Sequence, residues 1–209
     1  MNRILVFLLI TLSTLTVFGQ NFEGQITYSN TYKSQNPKMT GQQWLKMMGD
    51  TQNYSIKNGN YKAISNGSMF QWLIYVNSEN MLYTKMANSE IALWNDGMVN
   101  ADTVLNAVVN KNVINILGYD CDELILTCKS GIQKYYFNTS LKVDISLFEN
   151  HKFGNWYAFL KESNSLPLKM IVSNPQFIME SIATEVKEMK INESDLQLPE
   201  NLKTTKSPY

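Results

Sequence analysis

The 209-residue chain has one arginine, Arg3, one histidine, His151, and only two cysteines, Cys121 and Cys128. Each scarcity removes a class of chemistry. With Arg3 alone to supply a planar guanidinium fork, and with its lysines scattered singly, the chain lacks the basic stripe that nucleic acid requires. A Ser-His-Asp or Cys-His arrangement has only His151 to use. That residue sits in the polar stretch Glu149-Asn150-His151-Lys152, where exposure or helix capping is the ordinary role of a histidine. Zinc would have to gather Cys121, Cys128, His151 and a carboxylate without the close Cys or His pairs such sites use. Asp120, Asp122 and Glu123 cluster at a strand start, but no Asp-x-Asp-x-Asp-Gly loop surrounds them, and a solvated strand end is expected. Gly41, Gly49 and Gly59 are isolated turn or cap glycines, not a phosphate-binding loop. No cofactor or metal, and no catalytic residue, is therefore expected. Paired carboxylates of a glycosidase meet only in the fold, so a hydrolase stays open as a third reading.

Charge is also sparse. Acids and bases balance at 18 each, charged residues make up 17% of the chain and hydrophobic ones 44%. That composition is too apolar for a disordered chain and too balanced for a polyelectrolyte binder. A chain of this length buries on the order of two-thirds of its unfolded surface.

The first nineteen residues read as a secretory signal. Asn2 and Arg3 form a short positive start, Ile4 to Leu12 is apolar, and Val17 and Gly19 sit at the small-residue positions of a cleavage site. The apolar run is short of the roughly 20 residues a bilayer requires, and no other segment of the sequence could span one. Gln20 and Asn21, not Cys, follow the predicted cut, so no lipid anchor is expected. Removal of the signal takes away Arg3 and leaves one acid more than bases, a net charge of about −1. The expectation is an exported protein, periplasmic or secreted, with residues 20–209 as one domain.

That remainder is dominated by period-two segments. In FEGQITYSNTY, Phe22, Gly24, Ile26, Tyr28 and Tyr32 share one face, while Gln25, Thr27, Ser29 and Thr31 share the other. Similar runs are predicted at Thr51 to Lys57, Tyr61 to Ser65, Met69 to Val76, Met81 to Ala87 and Ile91 to Asn95. Further strands are predicted near Val104 to Asn115, Tyr119 to Cys128, Ile132 to Phe137, Leu168 to Ser173 and Phe177 to Ile191. Asn58-Gly59, Asn66-Gly67, Asn77-Ser78 and Asn88-Ser89 separate the earlier runs as hairpin turns. Two stretches switch period. Thr40 to Met48 spaces Trp44, Leu45 and Met48 as a short helix ended by Gly49. His151 to Ser163 places Phe153, Trp156, Tyr157 and Leu160 on one helical stripe. The fold class is therefore mainly β with an α component: an antiparallel sheet curled over one or two short helices.

Strand Met69-Phe70-Gln71-Trp72-Leu73-Ile74-Tyr75-Val76 is apolar on both faces, so it is either a covered central strand or the wall of a groove with Trp72 and Tyr75 at its mouth. The candidate groove set is Trp44, Leu45, Met48, Phe70, Trp72, Ile74, Phe153, Trp156 and Leu160. Eleven Met and the many Tyr, Phe and Trp suit an adaptable apolar surface as well as ordinary core packing.

Ile116-Leu117-Gly118-Tyr119-Asp120-Cys121, Gly154-Asn155-Trp156, Leu166-Pro167-Leu168 and Ser194-Asp195-Leu196-Gln197-Leu198-Pro199 follow in an order similar to that of an uncharacterised family of exported proteins in Gram-negative bacteria. Phe22-Glu23-Gly24-Gln25-Ile26 resembles that family's opening strand. The family in turn resembles the periplasmic lipoprotein carriers LolA and LolB. The resemblance implies a strongly curved, incomplete antiparallel barrel with helices on its open, concave side, and a cavity able to hold acyl chains. LolA's arginine latch has no counterpart here, because Arg3 leaves with the signal. The implied partner is a lipid or other amphiphile; the alternative is an envelope scaffold with a filled core, whose partner is another envelope protein.

If Tyr119 to Cys128 is one strand, the seven-residue spacing separates the cysteine α-carbons by roughly 23 Å, against the ~7 Å a disulfide tolerates. The odd spacing also sends the two side chains to opposite faces. Ellman titration is expected to label the native thiols partially and both on denaturation; a mass two protons short would contradict this.

Overall fold

The computed structural model describes residues 21–208. The predicted signal, residues 1–19, lies outside the described residues. In chain order the elements are β1 (Gly24–Ser34), α1 (Gly41–Met48), β2 (Thr51–Lys57), β3 (Asn60–Ser65), β4 (Phe70–Val76), β5 (Met81–Met86), β6 (Ala92–Asp96) and β7 (Val104–Ile116). There follow β8 (Tyr119–Cys128), β9 (Gly131–Lys142), α2 (Trp156–Ser163), β10 (Ser165–Ser173), β11 (Phe177–Glu188) and β12 (Thr204–Lys206). All twelve strands form a single open, curved sheet in the order β12-β6-β5-β4-β3-β2-β1-β11-β10-β9-β8-β7.

Two meanders, β1 to β6 and β7 to β11, are sewn together where β1 pairs with β11. This is the expected mainly β, curved architecture with two short helices. It is not wholly antiparallel: β12, which the sequence pattern does not reveal, adds in parallel to β6. Three exposed residues with Thr-Thr-Lys side chains carry too little periodicity to be read as a strand.

Alternation along β1 follows the sequence. Gly24, Ile26, Tyr28 and Asn30 are buried and the residues between them are not. Across β2, β3 and β4, the residues in register with these are Tyr54, Ile56, Tyr61, Ala63, Leu73 and Tyr75, which share the core. Helix α1 starts at a capping box: the Thr40 hydroxyl accepts from the Gln43 amide at 3.2 Å, and the Gln43 side chain accepts from the Thr40 amide at 2.7 Å. Trp44 packs on Phe177 at 4.8 Å between ring centroids. Helix α2 lies over β8, β9 and β10, with Phe159 stacked on Tyr135 at 4.3 Å and Leu160 fully buried.

Helix α2 begins later than the predicted His151. Gly154 and Asn155 both adopt left-handed backbone, φ 63° and 64°, which a right-handed helix cannot propagate through. A short 3-10 turn, Phe153–Asn155, precedes it instead. The Asn58-Gly59 turn does join β2 to β3 with both φ values positive, 47° and 79°. Gly67 has a different role from the predicted turn: a Cβ there would lie 2.4 Å from the Met47 carbonyl oxygen, so it lets β4's approach pass close to α1.

The outer face is covered on the β1–β4 side. After β11 the chain runs through a 3-10 turn, Glu193–Leu196, which packs against β2, β3 and β4. Lys57 anchors this passage through the Ile191 carbonyl at 2.8 Å, and the Glu23 carboxylate accepts from the Ile191 amide at 2.7 Å. The two edges of the sheet differ. At one end stands three-residue β12. At the other stands thirteen-residue β7, solvent-exposed along nearly its whole length, with Leu105, Val108, Val109, Val113 and Ile114 each at least 37% accessible.

Leu196 is 3% exposed and fixes the covering turn. Leu196→Ala is expected to cost about 2–4 kcal/mol in urea unfolding, the ordinary range for a buried leucine; a cost below 1 kcal/mol would show that the turn does not seal the outer face.

Candidate functional site

The doubly apolar strand β4 resolves into two faces through a register slip. Pairing with β5 runs regularly from Val76 to Trp72, then shifts before Phe70. Leu73 and Tyr75 face the core shared with α2, and the slip brings Phe70 round to the same side. Trp72 and Ile74 face outward, with Trp72 opposite Ile64 and Lys85 in the neighbouring strands. Ile74 is fully buried yet stands apart from the concave core, on the face that the Glu193–Leu196 turn covers.

A cavity of about 200 Å³ opens on the concave face. Its floor is Tyr28, Gln52, Tyr54, Tyr61 and Ala63 from β1 to β3; Phe70 and Leu73 of β4, Pro167 and Met170 of β10, and Trp156 of α2 form its walls. No charged side chain lines it. Aromatic rings run on from it without a break. Tyr54 and Tyr61 lie 5.1 Å apart, Tyr61 and Tyr75 5.2 Å, Tyr75 and His151 4.1 Å, and Tyr61 and Trp156 6.1 Å.

His151 is the polar pin of this cluster. Its Nε2 shares a hydrogen bond of 2.6 Å with the Tyr61 hydroxyl, and the residue is 1% exposed. Its amide donates to the Phe148 carbonyl at 2.8 Å, and its own carbonyl accepts from the Tyr157 amide at 2.9 Å, in the first turn of α2. The expectation of an exposed or capping histidine is thus corrected: the local sequence is polar, but the backbone turns the ring inward between Tyr61 and Tyr75. Desolvation lowers the His151 pKa to about 3, so it is neutral at ordinary pH. Burial likewise pushes the Tyr54 and Tyr61 hydroxyls well above their usual range. The Tyr28 hydroxyl donates to the Pro167 carbonyl at 2.6 Å, tying β1 to β10 beside the cavity. Such a site offers apolar contact and neutral hydrogen bonds.

The groove residues expected from sequence divide. Phe70 and Trp156 line the cavity. Leu160 is buried beneath α2, a packing residue and not a lining one. Trp44, Leu45 and Met48 lie on α1, which contributes nothing to the cavity wall. Trp72 and Ile74 are on the opposite face, and the proposed mouth formed by Trp72 and Tyr75 does not exist, since Tyr75 is 1% exposed. Phe153 is 36% exposed because the helical stripe begins only after the kink at Gly154. The sequence reading missed the tyrosine floor. The alternation of β1 to β3 pointed inward at those positions, but tyrosine in a strand is ordinary core and carried no separate signal.

The acidic cluster also differs from a solvated strand end. Glu123 is 7% exposed, and its carboxylate accepts from the Tyr136 hydroxyl at 2.7 Å and the Asn110 side chain at 2.9 Å. Burial alone would raise its pKa, but these hydrogen bonds and Lys134 lower it below the usual value. Among the described residues no group of three or more His, Cys, Asp or Glu is placed to hold a metal ion. Cys121 and Cys128 are free and buried, and both belong to the same core, not to opposite faces. The β7–β8 ladder breaks between Asn110 and Ile114, and the phase of burial along β8 changes across that break.

No family model matches the chain, and no curated protein does. Among solved structures, it is similar to PNGF-II at 13% identity and a TM-score of 0.49, covering 89% of this chain and 32% of that one. The chain thus spans about a third of PNGF-II's length. A LolA superfamily protein from Nitrosomonas europaea overlaps at 9% identity and a TM-score of 0.38, over 85% of this chain and 91% of that one. Both overlaps are distant, and neither assigns an activity.

His151 makes stability depend on pH. Its folded pKa lies below the ordinary 6.5, so the unfolded chain takes up a proton that the folded chain refuses. Stability is full above about pH 6.5 and is expected to fall on acidification toward pH 3, by up to about 1.4 kcal/mol per pH unit. Urea unfolding at pH 7.5 and 5.0 should show this loss in the wild type, and His151→Gln should flatten it. An equal slope in both proteins would remove His151 as the cause.

Proposed function

We propose that the protein is an exported, non-catalytic binding or carrier protein that holds a small apolar portion of a lipid or other amphiphile in the concave cavity. The observation that carries this reading is the cavity itself: about 200 Å³, open, aromatic-walled and free of charged lining residues. An apolar cavity of about 150 Å³ is enough to take up benzene, whereas pockets for drug-sized ligands run from about 300 Å³. The guest portion is therefore one small ring or the end of one chain, not a set of full acyl chains. Burying about six methylenes contributes about 5 kcal/mol before the cost of association. Neutral His151 and high-pKa tyrosines suit holding more than proton transfer. Export rests on the signal pattern of residues 1–19, and among the described residues no helix is long and apolar enough to cross a membrane.

A second reading, an envelope scaffold, is favoured by one observation: the long exposed β7 edge with its row of branched apolar side chains. Such an edge is a template for strand addition by a protein partner.

Titration with a fluorescent naphthylamine dye separates the two. Under the carrier reading the wild type takes up dye. Leu73→Glu, which puts a charge in the cavity wall, and Ala63→Leu, which fills it, are both expected to weaken uptake at least tenfold. Trp72→Glu, on the outer face, is expected to leave uptake within twofold. No uptake by the wild type, or equal loss from the outer-face variant, would refute the carrier reading; circular dichroism of each variant checks that the sheet is intact.

A further inference from the structure

Three polar atoms in the aromatic cluster are buried and have no hydrogen-bond partner: the Tyr54 hydroxyl, Trp156 Nε1 and His151 Nδ1. Buried polar groups are overwhelmingly paired, because one left without a partner has lost its water for nothing in return. Two of the three, Tyr54 and Trp156, belong to residues that line the cavity. They flank Tyr61, whose ring lies 5.1 Å from Tyr54 and 6.1 Å from Trp156, and whose own hydroxyl is taken by His151. The indole N–H can only donate, and a phenol hydroxyl donates readily, so the pair calls for an acceptor.

The sign of that acceptor follows from what surrounds it. No lysine lines the cavity, and His151 is buried behind Tyr61 and Tyr75. A carboxylate or phosphate brought here would lose its water with no opposite charge to replace it. A neutral carbonyl oxygen has no such cost and satisfies the donors.

We infer that the guest carries an uncharged acceptor oxygen, the carbonyl of an ester or amide, at the edge of its apolar group, and that the Tyr54 hydroxyl and Trp156 indole N–H hold it. This rests on the carrier reading and specifies its ligand class. Both donor atoms are shielded from a water-sized sphere. The oxygen therefore reaches them by parting the aromatic walls as the guest enters, which leaves them unpaired until it does.

Calorimetric titration with ethylbenzene, methyl benzoate and benzoate tests the inference, because the three share a ring that suits the cavity and differ in acceptor and charge. Methyl benzoate is expected to bind about tenfold more tightly than ethylbenzene, a difference of about 1.4 kcal/mol. Benzoate is expected to bind most weakly. Tyr54→Phe and Trp156→Phe should each reduce the preference for the ester over ethylbenzene to under threefold, a ratio measured within each variant so that a general change in cavity shape cancels. Tyr54→Phe deletes an unpartnered hydroxyl, so the fold should survive it. Equal binding of ester and hydrocarbon, tighter binding of the anion, or an ester preference that persists in both variants overturns the inference and leaves the carrier reading standing. Failure of all three probes to bind overturns this inference, and if the dye is also refused the carrier reading falls with it.

Discussion

A hydrogen bond between two buried, uncharged groups joins the sheet to the segment that leads into its covering helix. Tyr61 stands on β3 and His151 in the turn before α2, and their 2.6 Å contact ties the segment that carries Trp156 to the strands. In water such a bond is worth little, because each partner has ready substitutes. In an aromatic cluster, where His151 is 1% exposed, neither group has another partner to turn to. The left-handed pair Gly154-Asn155 then lets the chain reverse directly into α2. The cavity is the space left between a floor set by strand register and a wall held over it by this bond, by the Lys152 and Phe153 amides on the Gly97 carbonyl and by the Asn155 side chain on Asp102.

The same neutrality governs the chemistry. Proton transfer near neutral pH calls for a group whose charged and uncharged forms are close in energy. Here desolvation moves histidine and tyrosine in opposite directions, each toward its neutral form. Ionised groups are kept elsewhere, as in the Glu123–Tyr136–Asn110 cluster between β7, β8 and β9 and the Lys57–Glu23 contact on the outer face. The concave side is left to shape and to a few uncharged donors.

Most of the strands were legible in the sequence because alternation is a local property: Ile26 and Tyr28 on one face, Gln25 and Thr27 on the other, follow from a two-residue repeat alone. Thr40 and Gly49 likewise mark the ends of α1 by their own chemistry, while the Gln43 half of the capping box shows only in the structure. What failed was phase. Strand β4 is apolar at successive positions, so nothing in its composition says where a bulge swaps its faces, and Trp72 and Ile74, which the pattern alone allows to face inward, point out. In the His151 segment the apolar spacing fits a helix, but two consecutive left-handed residues overrule it, and Phe153 drops from the stripe. His151 itself shows the limit most clearly. Its sequence neighbours are polar, while its spatial neighbours, Tyr61 and Tyr75, come from strands some ninety and seventy-five residues earlier.

The inequality of the two sheet edges bears on how copies of this molecule could meet. An open sheet with two serviceable margins can lengthen without limit, each newcomer exposing a fresh margin for the next. Here one margin is a three-residue parallel strand ending in a lysine, and the other is thirteen residues long. Two molecules joined through their long margins would have spent them both, and the remaining short margins offer little for a third. Such geometry favours a closed pair over a growing filament.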